Sequence, residues 1–80
     1  MSAITKEGIT VKVGQVWKDL DKRFPRTCIV FDVKLSLFGS AIAHAYMRRI
    51  DEGAKPTESR VRIDRMHKGA TGWALVSEAP

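Results

Sequence analysis

Residues 40–53 read SAIAHAYMRRIDEG, and the fold of this chain turns on whether they form a helix or a strand. As a helix, Ser40 is the N-cap, Ile42, Tyr46 and Ile50 recur four apart on one face, and Gly53 closes the C-terminus. As a strand, Ala41, Ala43, Ala45 and Met47 face a core, and Ile42, His44, Tyr46 and Arg48 face the other way. The alanines favour the helix locally. A helix at about 40–52 gives an α+β fold, and a strand gives an all-β one.

The sequence on either side reads as strands. In TCIVFDVKLS, 27–36, Ile29, Phe31, Val33 and Leu35 fall on one face. Cys28, Val30, Asp32 and Lys34 fall on the other, which predicts one fully apolar side and one that becomes wet at its far end. SLFGS follows as a turn. Upstream, in ITVKVGQVW, 9–17, Ile9, Val11 and Val13 alternate with Thr10 and Lys12, the two-residue period of a half-buried strand. Gly14 predicts a bulge or sharp bend, with Val16 and Trp17 continuing beyond it. MSAITKEG carries no sustained period and is expected to be a flexible N-terminus over 1–8, with structure starting at about Ile9.

KDLDKRFPR, 18–26, packs charges around a proline and reads as a solvated loop. RVRI, 60–63, is a short strand with Val61 and Ile63 inward. DRMHKGATG is a turn with room for one turn of 3₁₀ helix, and WALVS, 73–77, is a closing strand. The expected organisation is one domain over 9–77 and a polar tail over 78–80.

At 80 residues the chain makes one domain, and a domain this small buries only about 60% of the surface its unfolded chain exposes. Little material remains for a deep active-site cleft. Hydrophobic residues at 44% and charged residues at 29% exclude a globally disordered chain. The 14 Lys plus Arg against 9 Asp plus Glu leave a formal +5, which favours acidic partners. One cysteine cannot form an internal disulfide. The opening residues lack the charged and apolar regions of a secretion signal, and no apolar run approaches the roughly 20 residues of a spanning helix. The expectation is a cytoplasmic protein with no membrane role.

A bent first strand, a long loop, a meander, a short helical turn and a final strand resemble the SH3-like small barrel. More specifically, VKVGQVWKDLDKR at 11–23, then RVRIDRM and TGWALV, is similar to a group of small phage and bacterial proteins of uncharacterised function. The resemblance covers roughly half of the chain and implies that the middle segment is made of strands. It implies a five-stranded all-β barrel with a short 3₁₀ turn before the last strand, and so resolves 40–48 as a strand. Small barrels host many activities, so fold alone assigns none. The chain departs from the KOW pattern at FPRTCIV, where that pattern has glycines after GQV, and no RNA-binding role is carried over from it.

The candidate site is basic. Arg60 and Arg62 share one face of a strand, and Arg65 follows just after it. Arg48 and Arg49 lie on the expected neighbour, and Lys22, Arg23 and Arg26 lie in the first loop. The planar fork of arginine suits phosphate or carboxylate. Phe24 and Tyr46 are the aromatic candidates for stacking beside those charges. The alternative is a solvated edge on which Arg60 and Arg62 pair with Glu58, Asp51, Glu52 and Asp64. Trp17 and Trp73 are expected in the core. Cys28, on a strong strand, is expected to be a small buried hydrophobe.

No catalytic grouping is legible. His44 and His67 lack metal-ligand spacing, GSAIAH is not a nucleophile elbow, and neither GxGxxG nor GxxxxGK occurs. Asp19 and Asp21 are more simply neutralised by Lys18, Lys22 and Arg23 than by a metal. The reading is a non-enzymatic binding module without cofactor, encoded by a phage or mobile element and acting in the host cytoplasm. Nucleic acid is its first expected partner. The alternatives are an accessory factor or inhibitor that binds an acidic or nucleic-acid-handling host protein, and a virion component. Homodimerisation through an open edge is compatible with each.

Overall fold

A computed structural model describes residues 3–23, 25–36, 42–53, 55–69 and 72–78, with the side chains of 35, 36 and 42 left aside. Its strands are β1 (Ala3–Ile4), β2 (Thr10–Val11), β3 (Val16–Asp19), β4 (Thr27–Ser36), β5 (Ile42–Arg49), β6 (Glu58–Arg62) and β7 (Trp73–Ser77), with a 3₁₀ turn at Ile63–Arg65. No α-helix occurs among the described residues. The strand reading therefore holds over Ile42–Arg49, Ser40 and Ala41 lying outside the described residues, and the faces described from 43 to 48 are those expected. Ala45 and Met47 have no exposed surface, whereas His44 and Tyr46 are half-buried and Arg48 is exposed. Period-two burial against two neighbouring strands overrides the helical propensity of the alanines.

β3 to β6 run as an antiparallel meander and β7 returns beside β3, giving the order β6-β5-β4-β3-β7. β1 and β2 pair separately, Ala3 with Val11 and Ile4 with Thr10. Structure thus starts ahead of Ile9, because Ala3 is buried against the core and Thr5 N–H donates to the Ile9 carbonyl at 2.9 Å. The two ends of the five-stranded sheet exchange no ladder hydrogen bonds, so it is curled but not closed. Ile63, from the 3₁₀ turn, and Met66, just after it, are buried in the core that the curl encloses.

The bend expected at Gly14 is present and breaks the segment into two strands. Gly14 has φ +96°, a conformation that favours glycine, and separates β2 from β3. The turn leaves Val13 56% exposed, correcting its expected place in the core. Gln15 goes in instead. Its Oε1 accepts from Lys12 N–H at 2.9 Å and Trp17 Nε1–H at 3.1 Å, and its Nε2 donates to the Thr10 carbonyl and to Glu78. A fully buried amide with every group paired fixes the turn at little desolvation cost.

β4 corrects a second expectation. Cys28 is buried as expected and Val30 with it, while Phe31, expected on the fully apolar face, is 38% exposed. Val30 pairs with Met47 and Asp32 with Tyr46, so Phe31 is an extra residue in a β-bulge. The insertion shifts the alternation by one, sends Asp32 outward and returns Val33 to the core side. Trp17 and Trp73 sit in the core as expected, at 0% and 4% exposure.

Candidate functional site

The curl brings β6 towards β3 and β7, and a groove of about 630 Å³ runs between them. Five arginines line it: Arg23 and Arg26 from the first loop, Arg60 and Arg62 from β6, and Arg65 from the 3₁₀ turn. Against them stand two carboxylates, Asp19 and Asp21, and Trp73 forms an apolar wall. Segments nearly forty residues apart in sequence therefore meet in one cationic hollow.

Their partners separate these arginines into two kinds. Arg26 is tied into the fold. Its Nε and Nη2 donate to Asp19 Oδ2 at 3.2 and 2.9 Å, its Nη1 donates to Ser59 Oγ at 3.0 Å, and its guanidinium lies 5.5 Å from the Trp73 ring centroid. Asp19 is itself buried and turns its other oxygen to the Asp21 N–H. Arg26 thus bridges β3 to β6 across the open side of the curl. Asp19 is neutralised by Arg26, seven residues away, rather than by Lys18, Lys22 or Arg23.

Arg23 pairs with Asp21, and hydrogen bonds from the Arg23 backbone and side chain hold the Asp21 carboxyl below its usual range. Arg62 pairs with Asp64 at 2.8 Å. Arg60 and Arg65 are exposed and have no ion-pair partner among the described residues. Among the described residues, the pairing expected of a solvated edge is found for Arg62 and not for Arg60.

The remaining candidates lie elsewhere. Arg49 pairs with Asp51 at 2.6 Å, and Asp51 also accepts from Thr27 N–H, a latch at the base of the β4–β5 hairpin. These contacts, the Arg49 hydrogen bond first, hold the Asp51 carboxyl low. Lys22 is exposed in the first loop but does not line the groove. Phe24 lies outside the described residues. Arg48 and Tyr46 are on the outer face of β5, where Tyr46 is registered opposite Arg60.

Phe31, which its alternation assigned to the core, joins that outer face. Its ring centroid is 6.3 Å from that of Tyr46, Arg48 lies 5.4 Å over it, and Lys34 lies 5.3 Å over Tyr46. A signal existed in the sequence: the apolar residues Val30 and Val33 are three apart, a phase break that a bulge explains.

Cys28 has no exposed surface, and burial pushes its thiol pKa up, away from nucleophilic character. Among the described residues no three His, Cys, Asp or Glu side chains converge as metal ligands, and no helix is long and apolar enough to cross a membrane. The chain matches no known family model, no curated protein and no solved structure.

Proposed function

We propose that this chain is a small, non-enzymatic nucleic-acid-binding module whose arginine groove holds backbone phosphates. The observation that carries the reading is the imbalance within the groove: five guanidinium groups, two carboxylates already paired, and Arg60 and Arg65 without a counter-charge among the described residues. Gathering uncompensated cations at one place is unfavourable for the free protein, and phosphate oxygens relieve it through charge-assisted hydrogen bonds. The formal +5 of the chain adds attraction at longer range.

The sheet order, with a 3₁₀ turn before a last strand that returns to β3, supports reading the architecture as an opened SH3-like barrel. In that frame Arg26 takes over part of the work of the missing ladder, leaving Arg60, which has no ion-pair partner among the described residues, to meet a ligand. The sequence resemblance to small phage and bacterial proteins supports an accessory role in a mobile element.

The test is fluorescence anisotropy of labelled oligonucleotides at 50 to 300 mM salt, with wild type and the Arg60→Ala/Arg65→Ala variant. The expected result is micromolar or tighter binding at the low-salt end, log affinity falling linearly with log salt, and a clear loss in the variant. Absence of binding at low salt, or binding that neither salt nor the double substitution weakens, overturns the reading and moves the groove to an acidic protein surface.

A further inference from the structure

We infer that the ligand is single-stranded and that Phe31 and Tyr46 are its stacking platform. The inference rests on the nucleic-acid reading above and narrows it to one class of ligand. Three observations converge on the outer face of β4 and β5. Phe31 is a large aromatic placed on a wet face by a bulge, 38% exposed, where the core makes no use of it. Tyr46 lies beside it with the two ring planes tilted by 55°. Arg60, one of the two arginines without an ion-pair partner among the described residues, is registered opposite Tyr46 on the adjacent strand. Neighbouring strands lie roughly 4.8 Å apart, so a phosphate held by Arg60 leaves its base within reach of the Tyr46 ring.

The separation of the rings selects the strand state. Their centroids are 6.3 Å apart, whereas bases stacked along a duplex rise by roughly 3.4 Å. Consecutive bases that reach both rings must be unstacked and splayed, which a single strand allows and a paired duplex resists. Lys34 and Arg48 lie over the two rings in the free protein, each also paired with an exposed carboxylate, Asp32 and Glu58. Such solvent-exposed contacts are weak. An arriving base displaces the cations from the ring faces and frees them for the phosphates on either side.

A labelled 12-mer of thymidine and a 12-base-pair duplex of mixed sequence, titrated in 100 mM salt, test the inference. Phe31→Leu keeps apolar bulk but removes the ring, and Tyr46→Leu does the same on β5. The expected result is tighter binding of the single strand, with each substitution weakening it roughly five- to 150-fold, the span of base–aromatic stacking energies, and barely changing duplex binding. Photo-crosslinking of the wild-type protein to a 5-iodouracil 12-mer, with adducts expected at Phe31 or Tyr46, gives a readout independent of variant folding. If single strand and duplex bind equally, adducts map elsewhere and only Arg60→Ala/Arg65→Ala weakens binding, the platform is wrong and the groove stands. If neither oligonucleotide binds at low salt, both readings fall together.

Discussion

Arg26 and Arg60 line the same groove, yet one belongs to the fold and the other to the surface. Arg26 places its guanidinium against Asp19, Ser59 and Trp73, with its side chain 29% exposed and that of Asp19 8% exposed. Arg60 stands exposed, without an ionic partner among the described residues. The difference teaches that the number of donors already engaged, rather than residue type or position in the hollow, decides whether an arginine is available to a ligand.

The largest effect is expected where that distinction is attacked directly. Arg26→Ala leaves the buried Asp19 carboxylate without its cation and cuts the link from β3 to β6. Removing one partner of a buried pair costs about 3–5 kcal/mol, and the partial exposure of Arg26 places this case near the lower end. For a domain of this size each kcal/mol shifts Tm by about 4–8 °C, so thermal melts should fall by more than 10 °C. A fall of a degree or two would put Arg26 in the same class as Arg60.

Arg60→Ala/Arg65→Ala should do the opposite. Its melt should lie within about 3 °C of wild type, as for other exposed substitutions, while oligonucleotide affinity drops at least about tenfold and the log–log salt slope flattens by roughly 1.5. A melt as damaged as that of Arg26→Ala would erase the comparison.

Acid should sharpen it. Asp21 and Asp51 have carboxyl groups held below the usual aspartate range by their hydrogen bonds to Arg23 and Arg49. A depressed folded pKa contributes stability above the unfolded value, which is lost as pH falls through the folded one. Tm should therefore stay level from pH 7 to about 5 and decline below about 4, and Asp51→Asn should blunt the decline. The smallest effect is expected from Glu58→Gln, which opens the exposed pair with Arg48: a stability change within about 0.5 kcal/mol, with a slight gain in oligonucleotide affinity as Arg48 is released.

Much of the scaffold was legible because it depends on local pattern. The alternation Ala43, Ala45, Met47, the glycine bend after Val13 and the two core tryptophans all follow from period and residue type. Phe31 was misassigned because its place depends on register with another strand. A strict alternation cannot carry Asp32 into the core behind Cys28 and Val30, so the pairing with β5 absorbs one residue, and Asp32 and Val33 beyond it change face. The groove was half legible. Arg60, Arg62 and Arg65 are close in sequence, but their meeting with Arg23 and Arg26 depends on the curl of the sheet, and the Arg26–Asp19 pair is visible only once Trp73 and Ser59 are in place.

Cys28 gives the molecule a built-in clock. It is the only thiol in the chain, carries no exposed surface and sits opposite Trp17 in the pairing of β3 with β4. An alkylating reagent reaches it only while that pairing is open, so its labelling rate in plain buffer, divided by that of an unfolded peptide, gives the fraction of time the sheet spends undone. Ligand that closes the groove should slow the clock, and the slowing converts binding into a measure of how far the occupied groove locks the fold.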